Sequence, residues 1–261
     1  MIGLLIRKAF FDFWDNLALA FVFNIAADVA IFAALGGTAA VAGFGLGAMV
    51  ALLIPGVLFI ALVGGLVNRF TWTISRGERF SPGELGTYWK QSWRPSLFLG
   101  VLALLSLAGI TMGLPFYVSL HSTYGVILFG ILIWLLVLLF LFIQYFWPMN
   151  AQIEPQIGKL LRKCLLLFVD NPGFTIFLLL SSALLTALSV MTAGLFPGFV
   201  GVLLWNQTAV KILLYKYDYL ETLPEGESRR KAKIPWAILL KEESERVGKR
   251  TLKGMFFPWK D

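Results

Sequence analysis

The chain has 261 residues, of which 58% are hydrophobic and only 14% charged, with a formal net charge of +7 and a mean hydropathy of +0.79. A composition this apolar excludes a water-soluble domain and sets the class as an all-α integral membrane protein. One cysteine, Cys164, and one histidine, His121, exclude an intrachain disulfide and a cysteine metal cluster, and a Ser-His-Asp triad would have to use His121 itself.

Residues 1–14 read as an amphipathic, aromatic helix whose Arg7 and Lys8 would meet anionic headgroups. Aromatic and acidic residues stand where a signal peptide would have its apolar core, so this stretch is expected to be retained. After an elbow at Asp15-Asn16, span 1 (residues 17–35) carries Asp28, with Asn24 one turn earlier on the same face. Gly36, Gly37 and Thr38 read as a short turn. Gly43 and Gly47 precede span 2 (residues 48–72), and their spacing suits close backbone packing between helices. Pro55-Gly56 is expected to kink that span.

Residues 69–94 are basic and hold a second interfacial stretch, with an elbow at Arg94-Pro95 before span 3 (residues 96–120). His121, Ser122 and Thr123 allow only a tight turn into span 4 (residues 124–147). Its end, Tyr145-Phe146-Trp147-Pro148, reads as an aromatic belt at the membrane interface followed by a helix stop. Next comes a basic helix with Lys159, Arg162 and Lys163 on one face and Leu161, Leu165 and Phe168 on another, then a turn at Asp170-Asn171-Pro172. Span 5 covers residues 173–193. Span 6, residues 199–217, includes Asn206 and Gln207, and Lys211 near its end is expected to snorkel to the surface. A surface helix, an elbow and a span thus recur, the elbows roughly 79 and 77 residues apart, which predicts a threefold helix-plus-hairpin repeat.

The connections after spans 1, 3 and 5 contain no lysine or arginine, whereas those after spans 2 and 4 and both ends of the chain hold nearly all of them. Basic loops stay in the cytoplasm, so both termini and all three interfacial helices are expected on that side. The tail, residues 218–261, carries Arg229, Arg230, Lys231 and Lys233 and ends in an apolar group with Phe256, Phe257 and Trp259. Such cations contribute ~1 kcal/mol each beside anionic lipid. The two uses open to the tail are its own bilayer and a partner protein.

Four polar side chains, Asn24, Asp28, Asn206 and Gln207, fall at comparable depths in spans 1 and 6 and are expected to form one intramembrane cluster. A carboxylate there costs ~2.5 to 3.5 kcal/mol on insertion scales, so it either packs as a hydrogen-bonded group or serves an ion or proton path. No phosphate-binding loop, nucleophile elbow, zinc motif or carboxylate pair is present. Neither catalysis, a cofactor, a metal nor nucleic acid is expected.

Several short motifs carry a resemblance. Trp14-Asp15-Asn16-Leu17, the Arg76-Gly77-Glu78 turn, the aromatic stretch before span 3, Tyr145-Phe146-Trp147-Pro148 and Asn171-Pro172 together resemble the YesL-like bacterial membrane proteins, over about residues 8–219. The resemblance implies a six-span helical protein of the bacterial inner membrane. That family has no settled biochemical activity, and some members are thought to accompany carbohydrate-uptake systems. An accessory or scaffold subunit is the expected role, reached through glycine-lined spans, interfacial helices and the tail. The alternative is a small transporter or channel using Asp28.

Overall fold

The computed structural model describes residues 1–153, 156–223, 234–248 and 250. Among these the chain is all helix: α1 (Ile2–Asp15), α2 (Leu17–Ala40), α3 (Leu46–Ser75), α4 (Leu85–Ala108), α5 (Leu114–Ser119), α6 (Thr123–Ile143), α7 (Phe146–Gln152), α8 (Ile157–Asp170), α9 (Pro172–Met191), α10 (Gly198–Glu221), α11 (Trp236–Leu239) and α12 (Lys241–Val247). Six helical stretches are long and apolar enough to cross a membrane, so this is a multi-pass membrane protein.

Sequence punctuation explains most boundaries. Asn16 ends α1 and its side-chain amide donates to the Asp12 carbonyl, while Asn171 and Pro172 separate α8 from α9 with proline in the first helical position. Ser122 caps α6 by accepting a hydrogen bond from the Gly125 amide at 3.2 Å. Gly77, at φ +74°, closes α3 with the paired bonds of a Schellman turn: its own amide donates to Ile74 and the Glu78 amide to Thr73. Pro148 has no amide to give the Gln144 carbonyl, and the helix breaks at Gln144-Tyr145 between α6 and α7.

Three local expectations fail. Gly36, Gly37 and Thr38 stay inside α2, where the Thr38 hydroxyl donates to the Ala34 carbonyl of the preceding turn. There is no elbow at Arg94-Pro95, because α4 runs straight through it. The Tyr145–Pro148 aromatic cluster is not an interface belt, since Tyr145 and Phe146 are fully buried and the Tyr145 hydroxyl meets the Thr175 hydroxyl at 2.8 Å.

The bundle is built around α10 and α3. In the most apolar stretch of α10, 72% of the residues are buried and the helix packs against α1, α2, α3, α7 and α9, whereas in that of the span containing α6 no residue is buried and this span lies at the periphery. Lipid tails are as apolar as leucine, so close packing and hydrogen bonds, rather than burial alone, must hold these helices together. Gly65 illustrates the packing: a Cβ there would lie 2.0 Å from Ser96 Oγ and 3.2 Å from Ser92 Cβ on α4. The expected close approach at Gly43 and Gly47 is absent, because a Cβ at either would meet nothing within 4 Å among the described residues. Both glycines lie at the outer end of the α2–α3 hairpin, where no further helix reaches them.

On α8, Leu160, Cys164 and Leu167 form the inward stripe, Leu165, Leu166 and Val169 stay exposed, and Lys159 and Arg162 face outward. This is the three-sided pattern of a helix lying between protein, lipid and water. Burial pushes the Cys164 thiol up to about 12, which leaves it an inert apolar filler.

Candidate functional site

The polar residues of the interior form separate lattices rather than one cluster. Adjacent residues on a helix point about 100° apart, and Asn206 and Gln207 accordingly face different neighbours. Asn206 accepts a 2.8 Å hydrogen bond from Ser182 on α9, beside a matching bond from the Trp205 indole to Ser181. Gln207 donates to the side chain and backbone of Asn68 on α3 and accepts from Gln152 on α7 at 2.9 Å. Asn68 in turn donates to the Trp147 carbonyl at 2.9 Å. Three elements, α3, α7 and α10, are thereby tied through one buried amide.

Asn24 and Asp28 do share a face, as their spacing predicts, but that face meets the α9–α10 turn and not Asn206 or Gln207. Asn24 donates to the carbonyls of Leu195 and Pro197 at 3.0 and 3.1 Å and accepts from the Val200 amide at 2.8 Å. It thus acts as an external cap for the start of α10. Asp28 lies against Gly194, where a Cβ would come within 2.2 Å of its carboxylate. It opens onto an apolar groove of about 420 Å³ shared with Phe32, Val190 and Phe199, and no hydrogen bond or ion pair reaches it among the described residues.

The strongest electrostatic feature lies at the opposite end of α10. Lys8 sits on the inward face of α1, three residues after Leu5, and is fully buried. Its ammonium contacts Asp12 at 2.8 Å and Glu243 of α12 at 3.0 Å. Glu243 also accepts from Lys211 at 2.6 Å and from the Tyr215 hydroxyl at 2.9 Å, and Lys211 donates to the Ser75 carbonyl. Two cations and two carboxylates therefore balance inside the protein. Burial works against the Glu243 carboxylate, but the hydrogen bond from Lys211 and the charge of Lys8 outweigh it and hold its pKa at about 2. Burial dominates at Asp12 and raises its pKa despite Lys8.

This cluster is the latch of the tail. Leu240 and Val247 bury their side chains on either side of Glu243. Arg7 donates to the carbonyls of Gly248 and Arg250, and Arg250 grips Asp15 through both carboxylate oxygens at 3.0 and 2.9 Å while lying over the Phe11 ring. Arg246 packs over Gly77, within about 3 Å of where a Cβ would be. Two sequence expectations are corrected here. Arg7 and Lys8 serve the tail rather than headgroups, and Lys211 is paired inside rather than snorkelling. Lys8 shares a helical face with Leu5 and Asp12, and a lysine on a buried face is the one signal that foretold a buried partner. The tail candidates Arg229, Arg230, Lys231, Lys233, Phe256, Phe257 and Trp259 lie outside the described residues.

Among the described residues no group of histidine, cysteine and carboxylate side chains could hold a metal ion. No family model, curated protein or solved structure matches this chain.

Proposed function

We propose that the chain is a non-catalytic accessory or scaffold subunit of a larger assembly in the cytoplasmic membrane of a bacterium. The carrying observation is that the buried amide side chains Asn24, Asn68, Asn206 and Gln207 are consumed in holding helices together. Asn24 caps α10, Asn206 ties α9, and Gln207 ties α3 and α7, with buried Val200, Leu203 and Leu204 between them. A solute path would need polar groups in file from one face to the other. The distribution of lysine and arginine supports cytoplasmic termini. The YesL-like motifs support the same setting. Gly43 and Gly47, open on the outer end of α2 and α3, and the exposed apolar α6 supply surfaces on which a partner helix could pack.

The test is gentle extraction from native membranes, capture through an N-terminal tag, and mass spectrometry of what accompanies the chain. A stoichiometric membrane-protein partner supports the subunit role, and recovery of the chain alone or as a homo-oligomer would overturn it. One observation favours a transporter instead: Asp28 opens on a groove without a partner among the described residues. Solute or proton flux in proteoliposomes that vanishes in Asp28→Asn would establish that second reading.

A further inference from the structure

A different set of cations lies at the same end of the bundle as the latch. Arg69 of α3, Lys90 and Arg94 of α4, and the backbone of α7 line a polar cleft of about 470 Å³. No described carboxylate lines it, and none of the three cations is in an ion pair among the described residues. Arg69 reaches the carbonyls of Asn150 and Ala151 only at 3.3 and 3.4 Å, and its Nε is buried with no hydrogen-bond partner. Pro95, also in the wall, has no amide to offer the Gln91 carbonyl. Exposed Trp89 and Trp93, the latter under the Arg94 guanidinium at 5.0 Å, set this level as the membrane interface.

The cleft does not stand alone. Gln91, Arg94 and Pro95 are followed at helical spacing by Leu99, Leu102 and Ser106, all on one face of α4. That lower part lines a second groove of about 370 Å³, apolar and closed on its other side by Phe140 and Ile143 of α6. From Arg94 to Ser106 is about 18 Å along the helix, close to the ~15 Å of one leaflet's hydrocarbon. The order along α4 is therefore two cations, joined by Arg69 of α3, at interface depth and then an apolar groove running into the bilayer.

We propose that the cleft and the groove form one site for a single anionic phospholipid, with its phosphate among Arg69, Lys90 and Arg94 and an acyl chain between α4 and α6. A soluble phosphate would use the cations but not the groove, and a zwitterionic lipid would use the groove while gaining little from three positive charges. The order of the lining selects a molecule that carries both features.

The test uses the full chain in detergent, stripped of lipid, with native mass spectrometry as the readout. Phosphatidylglycerol and phosphatidylcholine of identical chains are added separately, and glycerol phosphate serves as the headgroup alone. One bound phosphatidylglycerol in clear preference to phosphatidylcholine is expected. In Lys90→Ala/Arg94→Ala, two exposed positions, that preference should fall roughly thirtyfold, while Ala103→Phe, which fills the groove, should weaken the lipid but not glycerol phosphate. Equal retention of the two lipids would overturn the proposal, as would a preference unchanged in Lys90→Ala/Arg94→Ala. Lipid binding that glycerol phosphate fully displaces and Ala103→Phe leaves intact would mark a site for soluble anions and overturn it too.

Discussion

The two sets of cations at one end of this bundle look alike in sequence and are used differently. Lys8 and Lys211 close around Glu243, a carboxylate that the chain itself brings back from 235 residues beyond Lys8; Lys8 is fully buried and Lys211 largely so. Arg69, Lys90 and Arg94 surround a cleft that no described carboxylate enters. The difference follows from burial. A lysine on the inward face of α1 cannot be left without an anion, whereas cations at the rim of a membrane are stable until an anion arrives. Charge at a membrane face is thus either structural or available, and geometry decides which.

Breaking the closed set should have the largest effect. Glu243→Ala leaves Lys8 buried without its long-range partner, a change of the kind that costs about 3–5 kcal/mol. Limited proteolysis should then cut within residues 234–250 much faster than in the wild type. The same ion pair sets a pH dependence. Glu243 has its folded pKa lowered from the ordinary 4.5 to about 2, so its stabilisation is complete above pH 4.5 and is lost as the pH falls through 2. Its full extent is on the order of 3 kcal/mol, readable as acid release of the tail followed by tryptophan fluorescence.

Smaller effects are expected from the packing that holds both sets in place. Gly65→Val forces α4 away from α3 and should cost about 1–3 kcal/mol in thermal unfolding in detergent. Alanine at Gly43 or Gly47 should change that melt by less than about 0.5 kcal/mol. Gln207→Leu strands Asn68 and Gln152 and should cost about 1–2 kcal/mol. Opening the comparison from the other side, Lys90→Ala/Arg94→Ala should leave the melt of the lipid-free protein within about 0.5 kcal/mol of wild type. A large loss there would mean that the second set is structural as well.

What could be read from sequence depended on whether the cause was local. Hydropathy located six spans, and Asn16, Ser122 and Asn171-Pro172 act within a turn of themselves, so those boundaries were legible. Pro95 was not, because a proline inside a long helix removes only one backbone hydrogen bond, that to the Gln91 carbonyl, and the packing of α4 along α3 carries the helix across it. The glycine pair 36–37 was misread as a turn, since membrane helices tolerate glycine that soluble ones do not. Asn24 and Asp28 were correctly placed on one face, but which element that face meets depends on the α9–α10 turn, and no spacing in α2 encodes it. The Lys8–Glu243 contact lies beyond any periodicity, and only the lysine on a buried stripe hinted at it. The cation-lined cleft needed the convergence of α3, α4 and α7, of which the sequence displayed only a basic segment.

The division between closed and open cations can be tested in one experiment, hydrogen exchange of the full chain in nanodiscs of phosphatidylglycerol and of phosphatidylcholine. The account predicts that the amides of α12 (Lys241–Val247) exchange slowly in both lipids, while those of residues 88–95 on α4 exchange more slowly in phosphatidylglycerol. Exchange of α12 at unfolded-chain rates, or an equal response of α12 and α4 to the lipid, would contradict it.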